Sequence, residues 1–221
     1  MLYIIATPIG NLGDITLRAI ETLEKVDYLL CEDTRNTGSL LKNLGIKNNP
    51  KLISFYDEVE EQKIPEIVKY LESGKKVGLV TDAGTPIISD PGFKLVKKCR
   101  SLGLQLTSIP GPSAAINALV LSGLPCGRFS YLGFLSKKDG ERKKILEKYK
   151  DFDGAKIIYE SPFRVVKLIE EIKTIYGDNT QVAVCREMTK KFEEVISGSA
   201  IEVSEKISKR QIKGEIVVII Y

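Results

Sequence analysis

The 221-residue sequence has no histidine and no tryptophan, and it carries four cysteines and two methionines. Without histidine the commonest general base is missing, together with the Ser-His-Asp triad and every metal site that uses imidazole. Cys31, Cys99, Cys126 and Cys185 stand far apart with no CxxC pair. They read as reduced thiols of a cytoplasmic protein. The apolar stretch Leu2–Ala6 is too short for a signal peptide, and no run approaches the ~18 residues of a membrane helix. No membrane association and no export are expected.

What is present is ordinary globular composition, 43% hydrophobic and 28% charged, enough to bury a core. Lys and Arg number 33 against 29 Asp and Glu, a net charge of +4 that permits an RNA partner without requiring one. Short β-branched runs alternate with segments of helical period, the pattern of βαβ units and a largely parallel sheet. Strands are predicted at Leu2–Ala6, Asp27–Glu32, Lys51–Phe55, Lys76–Thr81 and Leu104–Ile109. Beyond these, strands are predicted at Phe129–Phe134, Ala155–Tyr159, Gln181–Cys185 and Glu215–Ile220, and Phe192–Ser197 adds a strand that suits antiparallel pairing. Ile64, Ile67, Val68 and Leu71, like Val165, Leu168, Ile169 and Ile172, fall at i, i+3, i+4 and i+7 and predict helices lying on a sheet. The Gly- and Pro-bearing segment Leu121–Arg128 is the expected boundary between two α/β domains, 1–122 and 123–221, with a ligand cleft between them.

Four loops follow strands at the edge where open α/β sheets bind ligands. Thr7–Asp14 has Gly10 and Gly13 but matches neither GxGxxG nor the P-loop. Glu32-Asp33-Thr34-Arg35 offers a carboxylate where a dinucleotide-binding fold holds its ribose, and Asp33 or Thr34 also suits a helix N-cap. A nicotinamide oxidoreductase therefore stands as one alternative. Asp82–Gly92 is dense in small residues, prolines and short acids, and exposes backbone groups suited to an amino-acid-like ligand. Within it, Asp90-Pro91 is expected to cap the next helix. Pro110–Ala115 leads into a helix whose free N–H groups, with the Ser113 hydroxyl, suit an anion. In the second half, Arg164, Arg186, Lys190, Lys191 and Lys213 form a candidate basic rim for a phosphate backbone, with Tyr159, Phe163 and Phe192 as its thin aromatic component.

Read in order, TPIGNLGD, EDTR, DAGTPIISDPG, PGPSA, ESPFR, REMTKKFEE and KGE span the chain from Thr7 to Glu215 and resemble the ribosomal RNA small subunit methyltransferase I family of the tetrapyrrole methylase-like superfamily. The resemblance implies two α/β domains of the tetrapyrrole methylase type with S-adenosylmethionine in an interdomain cleft. It also implies a homodimer that needs no metal and methylates the 2′-O-ribose of a cytidine in the decoding region of 16S rRNA, within the small ribosomal subunit. By position, Asp82, Ala83, Gly84, Thr85, Ser113 and Ala114 are expected to hold the methionine part of the cofactor. Ile158, Tyr159, Ala183 and Gly214 are expected near its adenosine, with Pro8 and Ile9 lining the cleft. Glu32, Arg35, Arg164 and Lys213 are expected to face the RNA. The family commonly has histidine where this chain has Phe163, and many relatives continue beyond the KGE strand with a helical segment.

A sulfonium methyl group is already electrophilic, so alignment of the acceptor is the main task, and a base adds to it. The candidate bases are Glu32, Asp33, Glu160, Glu187 and a lysine of depressed pKa such as Lys190. The Arg186/Glu187/Lys190 cluster is the expected catalytic group. Methylation of a tetrapyrrole, and RNA binding without catalysis, are further alternatives.

Overall fold

The runs Leu2–Ile5, Tyr28–Cys31 and Val77–Leu79 are buried along almost their whole length, the mark of strands covered on both faces. In the computed structural model, which describes all residues Met1–Tyr221, the chain forms two compact units, Met1–Ser113 and Ala114–Tyr221.

The first unit runs β1 (Leu2–Ile5), α1 (Leu17–Leu23), β2 (Tyr28–Cys31), α2 (Thr34–Asn43), β3 (Lys51–Ser54), α3 (Asp57–Glu72), β4 (Val77–Leu79), α4 (Phe93–Ser101) and β5 (Leu106–Ile109). Its sheet has the order β3-β2-β4-β1-β5, and every pairing is parallel, as expected. The apolar stripe Ile64, Ile67, Val68 and Leu71 of α3 packs with Leu95 and Cys99 of α4 on one face. Ala19 and Leu23 of α1 and Leu41 of α2 cover the other. All strands being parallel, the loops after β1, β2, β4 and β5 emerge at one edge.

The second unit runs α5 (Ala114–Leu121), β6 (Phe129–Phe134), α6 (Asp139–Lys148), β7 (Ala155–Glu160), α7 (Val165–Tyr176), β8 (Gln181–Arg186), β9 (Glu194–Ser199), α8 (Ala200–Ser208) and β10 (Ile216–Ile220). The division falls ahead of α5 rather than behind it at Leu121–Arg128. Ala115, Ala118 and Leu119 of α5 pack on Ile157, Ala183, Val217 and Ile219 of the second sheet, so the helix belongs to the second unit. The expectation of a largely parallel arrangement fails in this unit. The order is β6-β7-β10-β8-β9, and only β6-β7 is parallel. The last strand, β10, inserts between β7 and β8 and runs against both. Strand alternation then sends Ile216, Val218 and Ile220 to the α7/α8 face and Val217 and Ile219 to the α5 face.

The expected Asp90-Pro91 cap is also corrected. Helix α4 starts at Phe93, its N-cap is Gly92 at φ 126°, and no side chain of that segment caps it. The buried Glu60 of α3 does so from a distance, its Oε1 accepting from Leu95 N at 3.1 Å. Gly92 is required twice over, because a Cβ there would lie 2.7 Å from Leu79 Cδ2 and 2.9 Å from Ile87 Cγ1, on top of the positive φ. Gly92→Ala should cost about 1–3 kcal/mol, the range for backbone strain at such a position, and lower the thermal midpoint by several degrees; an unchanged melting curve would contradict this reading.

Candidate functional site

The loops at the carboxyl edge of the first sheet are joined by backbone hydrogen bonds. Thr7 N donates to Gly84 O at 2.9 Å and Gly84 N to Thr7 O at 3.1 Å, an antiparallel bridge between the loops after β1 and β4. Thr7 Oγ1 also donates to Thr81 O at 3.1 Å, and Thr85 Oγ1 donates to Pro112 O at 2.9 Å, which brings in the loop after β5. Gly84 sits at φ 84°, and a Cβ there would reach Ile9 Cγ2 at 3.3 Å, so the backbone approaches the buried Pro8-Ile9 segment closely. On this frame Asp82 and Ala83 remain exposed while Thr85 is half-buried. The bridge thus places Pro8, Ile9 and Asp82–Thr85 together. Ser113 closes the unit.

Beside this frame the expected EDTR block divides into two environments. Asp33 caps α2 and chelates its neighbour: its Oδ1 accepts from Arg35 N at 2.8 Å and its Oδ2 pairs with Arg35 Nη2 at 2.6 Å. These bonds hold its carboxyl down at about 2. Arg35 is thereby paired within its own turn, although well exposed. Glu32 is the opposite case. Its Oε1 accepts from Thr81 Oγ1 at 3.1 Å, and it shares a hydrogen bond with Asp90. Burial first, and then the Asp90 charge, push its carboxyl up to about 7. Asp90 is raised as well, chiefly by burial. Each carboxyl thus disfavours the charged form of the other. Asp82 adds negative charge nearby and accepts from Asn36 Nδ2 at 2.8 Å.

In the second unit, Glu160, Ile216, Arg186 and Glu194 lie in one row across β7, β10, β8 and β9. Arg164 Nη2 pairs with the buried Glu160 at 2.6 Å. Glu187 occupies a left-handed turn at φ 49°, its Oε1 accepting from Glu215 N and from Lys190 Nζ, each at 3.0 Å. The Glu215 backbone bond is the main reason its carboxyl is held below the usual range. Lys190 does not have the depressed pKa expected of it. Burial pulls it down, but the bonds to Glu215 and Glu187 outweigh burial and raise it, so it stays a cation. Gly214 at φ 92° leaves room for Glu187 and for no side chain of its own, since a Cβ would lie 2.4 Å from Glu187 Cγ. Ile158 and Ala183 are fully buried on opposite faces of the sheet. Tyr159 is the strand-end residue with a polar handle, its hydroxyl accepting from Ala115 N at 3.1 Å.

Sequence reasoning missed Thr7 and Thr81 as the residues that knit the edge, and read Asp90 as a cap rather than as the partner of Glu32. Nothing local marks these contacts. Thr81 and Glu32 lie 49 positions apart and meet because β4 pairs with β2.

Residues 1–204 match the family model of the Tetrapyrrole (Corrin/Porphyrin) Methylases. The fold is shared with a crystal structure of diphthine synthase, at a TM-score of 0.77 and 14% identity over 99% of this chain and 88% of that one. It is shared too with the uroporphyrin-III-C-methyltransferase from Thermus thermophilus, at a TM-score of 0.68 and 16% identity over 99% and 93%. Proteins named Ribosomal RNA small subunit methyltransferase I are far more similar in sequence. That of Escherichia coli O157:H7 is 43% identical over 99% of this chain and 77% of its own length. That of Haemophilus influenzae is 41% identical over 100% and 78%. That of Mycoplasmopsis pulmonis is 42% identical over 100% and 97%. The chain belongs to the ribosomal RNA small subunit methyltransferase I family of tetrapyrrole methylases, and is an S-adenosylmethionine-dependent methyltransferase. No helix is long and apolar enough to cross a membrane, and no group of His, Cys, Asp or Glu is arranged to hold a metal ion.

A carboxyl whose pKa is raised on folding contributes stability that is fully present below its unfolded value, near 4.5, and lost as pH rises through the folded value, here about 7. Thermal melts of wild type and Glu32→Gln should therefore diverge between pH 5 and 8, with wild type losing more. Parallel curves would show that Glu32 titrates normally.

Proposed function

We propose that the protein transfers a methyl group to the 2′-oxygen of a cytidine ribose in the decoding region of 16S rRNA, working in the cytoplasm as a homodimer on the small ribosomal subunit. The observation that carries this reading over tetrapyrrole methylation is the 41–43% identity, along the whole chain, to methyltransferases named for the small-subunit RNA, against 16% to the porphyrin-precursor methylase. An exposed carboxylate, close-packed glycine backbone and a helix N-terminus beside Ser113 suit the ammonium and carboxylate of an amino acid, so the donor set fits the methionine end of S-adenosylmethionine. Asp82–Thr85, Ser113 and Ala114 hold that end, with Pro8 and Ile9 behind it. Tyr159 and the backbone at Gly214 are the adenosine-side residues, and the buried Ile158 and Ala183 act by shaping their strands. Arg35, Arg164 and Lys213 meet the RNA.

When bound, the cofactor supplies a methyl group that is already electrophilic. What the chain must add is a fixed acceptor oxygen and a place for its proton. Glu187 and Lys190 bond each other, Glu187 accepts from Glu215 N and Lys190 donates to the Glu215 carboxylate, and with Arg186 they shape the RNA side of the site rather than accept the proton. Glu32 suits the base. Its carboxylate accepts the 2′-hydroxyl proton, and Asp90 beside it makes that proton more strongly held. A group titrating near 7 is well matched to proton transfer at neutral pH.

The test is transfer of labelled methyl from S-adenosylmethionine to unmodified small subunits and to naked 16S rRNA, with the labelled position mapped. Label on a base or on no RNA would overturn the reading. Asp82→Arg should abolish measurable cofactor binding by calorimetry, and unchanged affinity would remove this loop from the site. Glu32→Gln should keep cofactor affinity, lower kcat by about 10²–10⁴-fold and lose the rise in rate through pH 7. If wild type shows no such rise, Glu32 is not the base.

A further inference from the structure

Three of the four most exposed phenylalanines stand at one edge of the second sheet: Phe163 is 92% exposed, Phe192 65% and Phe134 60%. Strand register puts them there. Phe134 ends β6, Phe163 follows β7, and Phe192 lies in the turn between β8 and β9, all at the end of the sheet marked by the Glu160–Ile216–Arg186–Glu194 row. Arginines hold the backbone beside Phe134 and at Phe192. Arg164 Nη1 donates to Leu135 O at 3.4 Å, and Arg186 donates from Nη1 to Phe192 O at 3.5 Å and from Nε to Lys213 O at 3.4 Å. Phe163 N is held by Ser161 Oγ at 3.2 Å, so this ring projects from an ordered turn.

The unpaired charge around the rings is mostly positive. Every acid along the row is already engaged: Glu160 by Arg164, Glu187 and Glu215 by Lys190, Glu194 by Arg186 and Arg210, and Glu193 by Thr189 N. Lys137, Lys191 and Lys213 are exposed and have no carboxylate partner. Lys191 Nζ lies over the Phe192 ring at 5.7 Å. Lys137 is carried on a turn whose carbonyls, Ser136 O and Lys137 O, accept from the buried Arg142. Protein–protein interfaces are depleted in lysine, whereas rings interleaved with uncompensated lysines are how single-stranded nucleic acid is gripped without base reading.

We propose that Phe163, Phe192 and Phe134 stack on unpaired bases of the RNA while Lys137, Lys191 and Lys213 meet the adjoining phosphates. This rests on the RNA reading of the site and adds to it a surface of the second unit that grips single-stranded nucleotides. Stacking is neutral and phosphate contact is ionic, so the two halves separate in salt dependence.

The experiment is fluorescence anisotropy of a labelled single-stranded 16S rRNA fragment against the protein with S-adenosylmethionine bound, over a salt series. Phe163→Ala and Phe192→Ala should each weaken RNA binding about 5- to 150-fold, the equivalent of 1–3 kcal/mol per stacked base, without changing the salt slope. Phe163→Tyr should bind as wild type does, and Phe163→Leu should not. Lys191→Ala and Lys213→Ala should each reduce the slope of log K against log salt by about 0.7. Cofactor affinity should be unchanged throughout, which guards against misfolding. Wild-type RNA binding retained in the phenylalanine variants would overturn the inference and leave the proposed function standing, and so would a change in oligomeric state by sedimentation, which would make the rings a protein contact. No RNA binding by wild type would instead bring down the RNA reading itself.

Discussion

The reciprocal hydrogen bonds between Thr7 and Gly84 are the constraint on which the first unit's candidate site depends. Both residues are buried, where an unpaired backbone group costs about 1–3 kcal/mol, so the bridge cannot open cheaply. It makes two loops far apart in sequence behave as one surface. Thr7 Oγ1 reinforces it through Thr81 O, and Thr81 Oγ1 then points its own donor at Glu32. A chain of contacts thus runs from the close-packed Gly84 of the loop after β4 to the Glu32–Asp90 pair. Glycine at 84 is needed for its positive φ and for the approach to Ile9, and aspartate at 82 stays exposed beside it.

The second unit reaches a comparable order by different means. Its sheet is closed by β10, which pairs with both β7 and β8, so that the last residues of the chain align Glu160 and Arg186 opposite the same residue, Ile216. The edge so formed is full of charge, yet most of it is internal. Glu187 and Lys190 hold the turn and the KGE segment, and Gly214 is glycine because the Glu187 side chain fills its Cβ position. The cluster that stands out in the sequence is bonded into the turn and strand that carry it.

The alternation of β runs and helical stripes made the strands and the α3 and α7 helices legible in the sequence, because periodicity is local. The motif blocks pointed to the loops at the right edge of the first sheet, since small residues and prolines after a strand have few other uses. Pairing direction in the second sheet was not legible, because an antiparallel insertion of the last strand depends on contacts far apart in the chain. Nor was the partner of Glu32: Asp90-Pro91 has the local form of a helix cap, and only the fold shows that Glu60, from another helix, takes that role. Lys190 was misread for the same reason, its two carboxylate partners being invisible until the turn closes.

Glu32 and Glu187 are pushed in opposite directions by their surroundings. Glu187 accepts from a backbone N–H and a lysine, interactions that favour the charged form and leave a weak base. Glu32 is half-buried, faces Asp90 and Asp82, and has a threonine hydroxyl as its one favourable partner, so its charged form is disfavoured and, when present, avid for a proton. Groups whose environments drive their pKa values apart mark a division between structural and acid–base work. In a protein without histidine, a glutamate raised to about 7 by burial and a neighbouring aspartate titrates where an imidazole would. That raised value comes from burial and from two carboxyls set side by side, and needs no imidazole.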